Sequence, residues 1–356
     1  MKSTKISFKD QNIYVGIDSH LKNWVVTILL EQSIYKTFSM NPSAQELVNY
    51  LNKHFPDGNY YSAYEAGFCG FSIHRELEKL GVKSIIVNPA DIPTTDKDKK
   101  QKEDKRDSRK IAKSLRNGDL IGIYIPTIAN CELRGLVRYR KSLVTQIGQS
   151  KNRMKSFLYF NGIKIPEQFA SASVSWSGKF TSWLETIECQ TANGKEVIFN
   201  LIKTTNFLRS VLLDINKQFR LLKKNDEYSV SIDNLLSIPG IGLIAAITII
   251  SEIGNINRFK RFDQLCSFIG LIPTTNSSGE HEKIGHISNR ANKQLRTILI
   301  EAAWVAIRYD PALALSFNGY CQRMKKNDAI IRIAKKLLNR IRYVLTNGKK
   351  YVLSVV

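Results

Sequence analysis

Asn12-Ile13-Tyr14-Val15-Gly16-Ile17 reads as a buried strand, and the residue that ends it, Asp18, is a carboxylate. Residues 24–30 (Trp-Val-Val-Thr-Ile-Leu-Leu) and 34–39 read as two more strands. Asn41-Pro42 supplies a cap followed by a first-turn proline, which starts a helix carrying Leu47, Val48 and Leu51 on one face. Tyr60 to Tyr64 is strand-like and ends at Glu65. A helix follows from Phe71 to Leu80, where Gly81 stops it, and Ser84 to Val87 is a short buried strand. Residues 101–116 read as helix and Ile121 to Ile125 as strand again.

Three consecutive strands followed by helix–strand alternation is, by analogy, the topology of ribonuclease H-like (RuvC-like) domains, and the expected fold class is α/β plus α. In such a sheet the first and fourth strands are neighbours and a later helix packs across them. Asp18 and Glu65 end those strands, and Asp104 and Asp107 stand three apart on one helix face. Carboxylates brought together repel one another, so a cluster of four implies a hard cation, Mg²⁺ or Mn²⁺. Taken singly, each has a plainer reading. A strand-end Asp is often a turn former, and Asp104 and Asp107 lie in a run of mixed charge that suits a solvated helix.

The rest of the chain is expected to be mostly helical. Leu133, Leu136, Val137, Leu143, Val144, Ile147, Met154 and Phe157 fall near heptad spacing, and residues 201–222 repeat the theme. These helices are expected to pair antiparallel with each other or with another protomer, as a coiled coil. Ser171 to Trp183 carries no clear pattern. The expected organisation is a first domain over 1–126, a helical middle over 127–228 and a C-terminal domain over 229–356. Lys plus Arg number 53 against 31 Asp plus Glu, a formal net charge of +22, which points to a polyanionic partner. Arg134, Arg138 and Lys141 sit off the heptad seam, and Lys293 and Arg296 lie further on; all five are candidate phosphate contacts. No apolar run is long enough to span a membrane and no export signal opens the chain. Five scattered cysteines without a C-x-x-C pair argue against a disulfide framework or zinc ribbon. A cytoplasmic location is expected. Ile238-Pro239-Gly240-Ile241-Gly242 before an apolar helix reads as a helix-hairpin-helix-like turn, whose glycines would admit a phosphate to a helix start, or equally as an ordinary tight turn. Thr274 to Gly279 reads as a polar loop.

Val15-Gly16-Ile17-Asp18, Tyr64-Glu65-Ala66-Gly67, Asn88-Pro89-Ala90-Asp91 and Asp104-Lys105-Arg106-Asp107 follow one another in this order. So do Ile238 to Gly242, Phe268 to Pro273, Ser277-Ser278-Gly279 and Gly285-His286-Ile287-Ser288. The series resembles the insertion-sequence transposases that join an N-terminal DEDD, RuvC-like domain to a C-terminal serine domain and act as bridge-RNA-guided recombinases. Glu103 and Ser108 depart from that pattern, where Thr before the third acid and Ala after the fourth are more usual.

The resemblance implies a DNA transposase or site-specific recombinase acting on element ends and target in the bacterial nucleoid. Asp18, Glu65, Asp104 and Asp107 would be its metal ligands. It implies Ser278, or its neighbour Ser277, as the nucleophile, and a structured guide RNA and a dimer or tetramer as the working assembly. Two other classes fit the residues. A metal-dependent junction nuclease would use the acids and leave Ser278 structural, and a non-enzymatic nucleic-acid binder would use neither. A sugar-kinase-type enzyme is disfavoured by the charge.

Overall fold

The computed structural model describes residues 7–93, 104–169, 176–225, 227–278, 281–287 and 291–353, with backbone alone from 273 to 287. The chain divides into two compact units, Met1–Ile125 and Pro126–Val356.

In the first unit β1 (Asn12–Ser19), β2 (Trp24–Leu29), β3 (Ile34–Met40), β4 (Asn59–Glu65) and β5 (Lys83–Val87) form one sheet in the order β3-β2-β1-β4-β5. β1 runs antiparallel to β2 and parallel to β4, so the crossover through α1 (Ala44–His54) returns the chain to the centre of the sheet. Strand alternation gives the sheet two different faces. Ile13, Val15, Ile17, Val26 and Tyr64 pack against Leu47 and Leu51 of α1 and against Ile73 and Leu77 of α2 (Ser72–Lys79). The opposite face carries Gly16, Thr27 and Ala63 and is covered by α3 (Asp104–Asn117).

α3 lies unusually close to the sheet. A Cβ on Gly16 would collide with the Ser108 carbonyl oxygen and stand 2.5 Å from the Ala112 nitrogen. Beside this contact, buried Ser108 and Thr27 share a hydrogen bond of 2.9 Å, and Thr27 and Thr37 share one of 3.0 Å. Ser108 thus uses its hydroxyl to fix the helix that starts with the two acids. Gly16→Ala is expected to push α3 outward, costing about 1–3 kcal/mol in a urea melt and weakening strand exchange; an unchanged melt would contradict this packing account.

The expected strand at 121–125 is corrected. Those residues contribute an isolated bridge from Gly122 to Val87. Ile121 is 81% exposed, and Pro126 follows without a backbone donor to extend a ladder.

In the second unit α4 (Ile128–Phe160) and α6 (Ala192–Leu222) pack against each other, with α5 (Gly178–Glu185) beside them. Ser150 meets Thr205 at 2.7 Å and Arg140 donates to Asn216 at 2.8 Å. The falling partner numbers make the pair antiparallel within one chain. Leu133, Val137, Leu143, Ile147 and Met154 are buried, whereas Val144, expected on the seam, is 39% exposed.

The remaining helices are α7 (Ser229–Leu236), α8 (Leu243–Ile253), α9 (Phe262–Ile269), α10 (Lys293–Tyr309), α11 (Pro311–Cys321) and α12 (Lys326–Asn347). They share a core of Leu235, Ile241, Leu299, Ala303, Leu337 and Ile341. The stretch read as a polar loop is instead, through Ser278, strand β6 (Pro273–Ser278), paired antiparallel with β7 (His281–Ile287).

Candidate metal centre and nucleic-acid contacts

Two strand ends and one helix start build the acidic site. Asp18 sits at the C-terminal end of β1, on the face that α3 covers. The parallel register pairs Ile17 with Tyr64, so the next position places Glu65 beside Asp18 on the adjoining strand. Asp104 and Asp107 occupy the first turn of α3, where the helix dipole favours negative charge. Burial is the main cause that raises the Asp18 carboxyl above its ordinary range; Asp104 and Asp107 push it further up, while His20 pulls it down.

Among the described residues the converging ligand group is Asp18, His20 and Asp104, which does not include Glu65 or Asp107. His20 Nε2 lies 3.3 Å from Asp18 Oδ2 and 3.5 Å from Asp104 Oδ2. Asp18, His20 and Asp104 each offer a ligand atom, and these atoms lie within 4.8 Å of one another. Sequence reasoning passed over His20. The period-2 relation to Asp18 at a strand end was the available signal.

The basic residues divide. Arg138 is more than half exposed, and its Nε and Nη2 donate to the two oxygens of buried Glu252 at 2.7 and 2.9 Å. Glu252 also accepts from Asn292 at 2.7 Å, and Asn292 caps α10. Arg134 donates to Cys131 Sγ at 3.8 Å, and Arg296 reaches the Gly270 carbonyl at 3.5 Å. Lys141 and Lys293, from distant parts of the sequence, line one cavity of 430 Å³ together with Arg140, another residue the sequence did not single out.

The glycines of the 238–242 turn also separate. Gly240 has φ +87° and packs onto α10, where a Cβ would strike the Ala302 carbonyl oxygen and come within 3.1 Å of the Ala306 nitrogen. Its close approach therefore serves helix packing. Gly242 caps α8 with open space where a side chain would stand. Ser278 ends β6 opposite His281 in the register, and Ser277 pairs with Glu282; the side chains of both serines lie outside the described residues.

Two family comparisons cover these regions in order. Residues 15–161 match the DEDD transposase domain of the IS110 elements, and residues 232–317 match the family described as Transposase IS116/IS110/IS902. The chain belongs to the IS110/IS116 transposase family. The transposase is 28% identical to the y4qE protein of Sinorhizobium fredii over 82% of this chain and 70% of that one. It is 24% identical to the transposase of insertion element IS1111A of Coxiella burnetii, covering 80% of this chain and 77% of that one. It is 25% identical to the transposase of IS1533 of Leptospira borgpetersenii, with 83% and 85% covered. The transposase is therefore a DNA strand-transfer enzyme, and its match to a DEDD domain points to divalent-metal use. Its first match spans Asp18, Glu65, Asp104 and Asp107; its second spans Gly240, Gly242, Ser278, Lys293 and Arg296. Among the described residues no helix is long and apolar enough to cross a membrane.

Proposed function

We propose that this transposase cuts and rejoins DNA with Ser278 as nucleophile and Asp18, Glu65, Asp104 and Asp107 as the ligands of Mg²⁺ or Mn²⁺. The observation that carries the reading is the approach of Asp18 to Asp104, with Asp107 close enough to raise the Asp18 carboxyl. Such a cluster stores repulsion that a divalent cation relieves. The donor set fits: oxygen ligands suit Mg²⁺, and the His20 nitrogen would be better used by Mn²⁺. When bound, the ion stabilises charge on the attacked phosphate.

In the cutting step the Ser278 oxygen forms a bond to phosphorus as the bond from phosphorus to a sugar oxygen breaks. The serine proton ends on the leaving sugar oxygen. Rejoining runs the same exchange from a new sugar hydroxyl, whose proton returns to Ser278, so no outside energy source is needed. Lys141, Lys293, Arg134, Arg296 and the Gly242 helix start hold the DNA backbone or a structured guide RNA without reading sequence. Two or four copies act together in the bacterial cytoplasm on nucleoid DNA, bringing the acidic unit of one copy to the serine of another.

Ser278→Ala is expected to abolish both cutting and rejoining in a strand-exchange assay with Mg²⁺. Continued hydrolytic cutting by that variant would favour a metal-dependent nuclease instead.

A further inference from the structure

The C-terminal helix presents a basic and aromatic groove that none of this chemistry uses. Residues 321–356 hold ten basic residues and one acidic. Several of these gather on one side of α12, where Arg332, Lys335, Lys336 and Arg340 follow at helical spacing. A cavity of 420 Å³ lies between these four cations and the rings of Phe262 and Tyr320. A second, of 460 Å³, adjoins it at Asn339 and Arg340 and is bounded by Tyr343, Lys349, Lys350 and Tyr351. The two form one groove along the helix.

The groove is built rather than merely charged. Asp310, 1% exposed, holds its floor: Arg340 Nη1 lies 3.3 Å from Asp310, and the Tyr351 hydroxyl donates to the same carboxylate at 2.8 Å. The Tyr351 backbone N–H donates to Ser237 at 2.7 Å, which pins the segment after α12 back onto the core and keeps Lys349 and Lys350 at the groove's edge. Arg332 and Lys336 stand 5.8 and 5.7 Å from the centre of the Tyr320 ring, and among the described residues neither pairs with a carboxylate. Tyr343 is 57% exposed.

We infer that this groove binds a single-stranded stretch of nucleic acid, with phosphates on Arg332, Lys336 and the Lys349–Lys350 pair and bases stacked on Tyr320 and Tyr343. Cations alone would suit any polyanion. Aromatic faces set among them suit exposed bases, which a duplex keeps stacked inside. A transposase opens strands during exchange, so such a segment exists in its substrate or in an RNA partner. The inference rests on the chain being a nucleic-acid enzyme and is independent of the serine chemistry.

The test is fluorescence anisotropy of the full chain with labelled oligo-dT, oligo-rU and a blunt duplex, each of about 16 nucleotides per strand. Arg332→Gln/Lys336→Gln should weaken single-strand binding about tenfold and flatten the slope of log affinity against log salt by about 1.4, two phosphate contacts at roughly 0.7 each. Tyr320→Leu should weaken single-strand binding about tenfold and leave duplex binding nearly unchanged. The stronger of dT and rU identifies the strand as DNA or RNA. Wild-type single-strand affinity and salt slope in both variants would overturn the groove while leaving the transposase reading intact. Equal competition by polyglutamate would overturn the stacking claim. A wild-type chain that binds no nucleic acid would instead overturn the reading on which the inference rests. Arg332→Gln alone, at an exposed helical position, keeps the test available should the other variants fail to fold.

Discussion

Asp18→Asn should lower DNA strand exchange by about a thousandfold or more, and the same variant should melt at a higher temperature than the wild type in a chelator. Both effects come from one charge. Burial, Asp104 and Asp107 raise the folded-state pKa of Asp18 above its unfolded value, against the pull of His20. An acid shifted in that direction stabilises the fold only when protonated. That contribution is present below the unfolded pKa and is lost as pH rises through the folded one. At neutral pH the ionised Asp18 therefore opposes folding, and asparagine removes the opposition. Added Mg²⁺ or Mn²⁺ should raise the wild-type melting temperature, because an ion that binds the folded state alone stabilises it, and should do little to Asp18→Asn. Wild-type strand exchange in the variant, or a lower melting temperature in chelator, would contradict the site.

Arg138→Ala should destabilise the second unit by about 3 kcal/mol or more, the cost of leaving a buried carboxylate without its cation. Glu252 has a side chain only 1% exposed, and Arg138 supplies two of its three hydrogen bonds. Glu252→Gln in the same background should recover much of the loss, since a neutral amide needs no counter-charge. Nucleic-acid affinity measured well below the melting transition should move little. A tenfold loss of affinity with an unchanged melt would make Arg138 a phosphate contact after all.

The contrast between these two residues shows what the sequence makes legible. Asp18 could be found because a strand pattern is local: apolar residues from Ile13 to Ile17 define the strand, and its end is where the charge appears. The neighbour relation to Glu65 followed from the analogy of the strand order to ribonuclease H-like sheets. The partner of Arg138 is 114 residues away, and no spacing rule reaches it. Glu252 did carry a signal, a lone acid in the apolar run of α8, since a carboxylate buried among Ile249, Ile250 and Ile253 must find a cation. α6 begins at Ala192 rather than near 201 because Thr191 caps it, its side chain accepting from the Gly194 N–H, before the apolar period becomes visible. The β6–β7 pair was hidden for a different reason. Thr274 to Ser278 is wholly polar, so it offers none of the apolar alternation by which a half-buried strand is recognised. Gly16 reads in the sequence as a strand residue and Gly240 as a turn or phosphate glycine, yet each is where a helix backbone comes too close for any side chain.

The fate of the DNA phosphate during exchange separates serine transfer from hydrolysis most directly. With a suicide DNA substrate that traps the cut state, the wild-type transposase should migrate on a denaturing gel as a protein–DNA adduct. Peptide mapping should place that adduct at Ser278, and Ser278→Ala should lack it. An adduct that maps to Ser277, or cut DNA ends with no protein attached under every trapping condition, would contradict the serine transfer proposed for this chain.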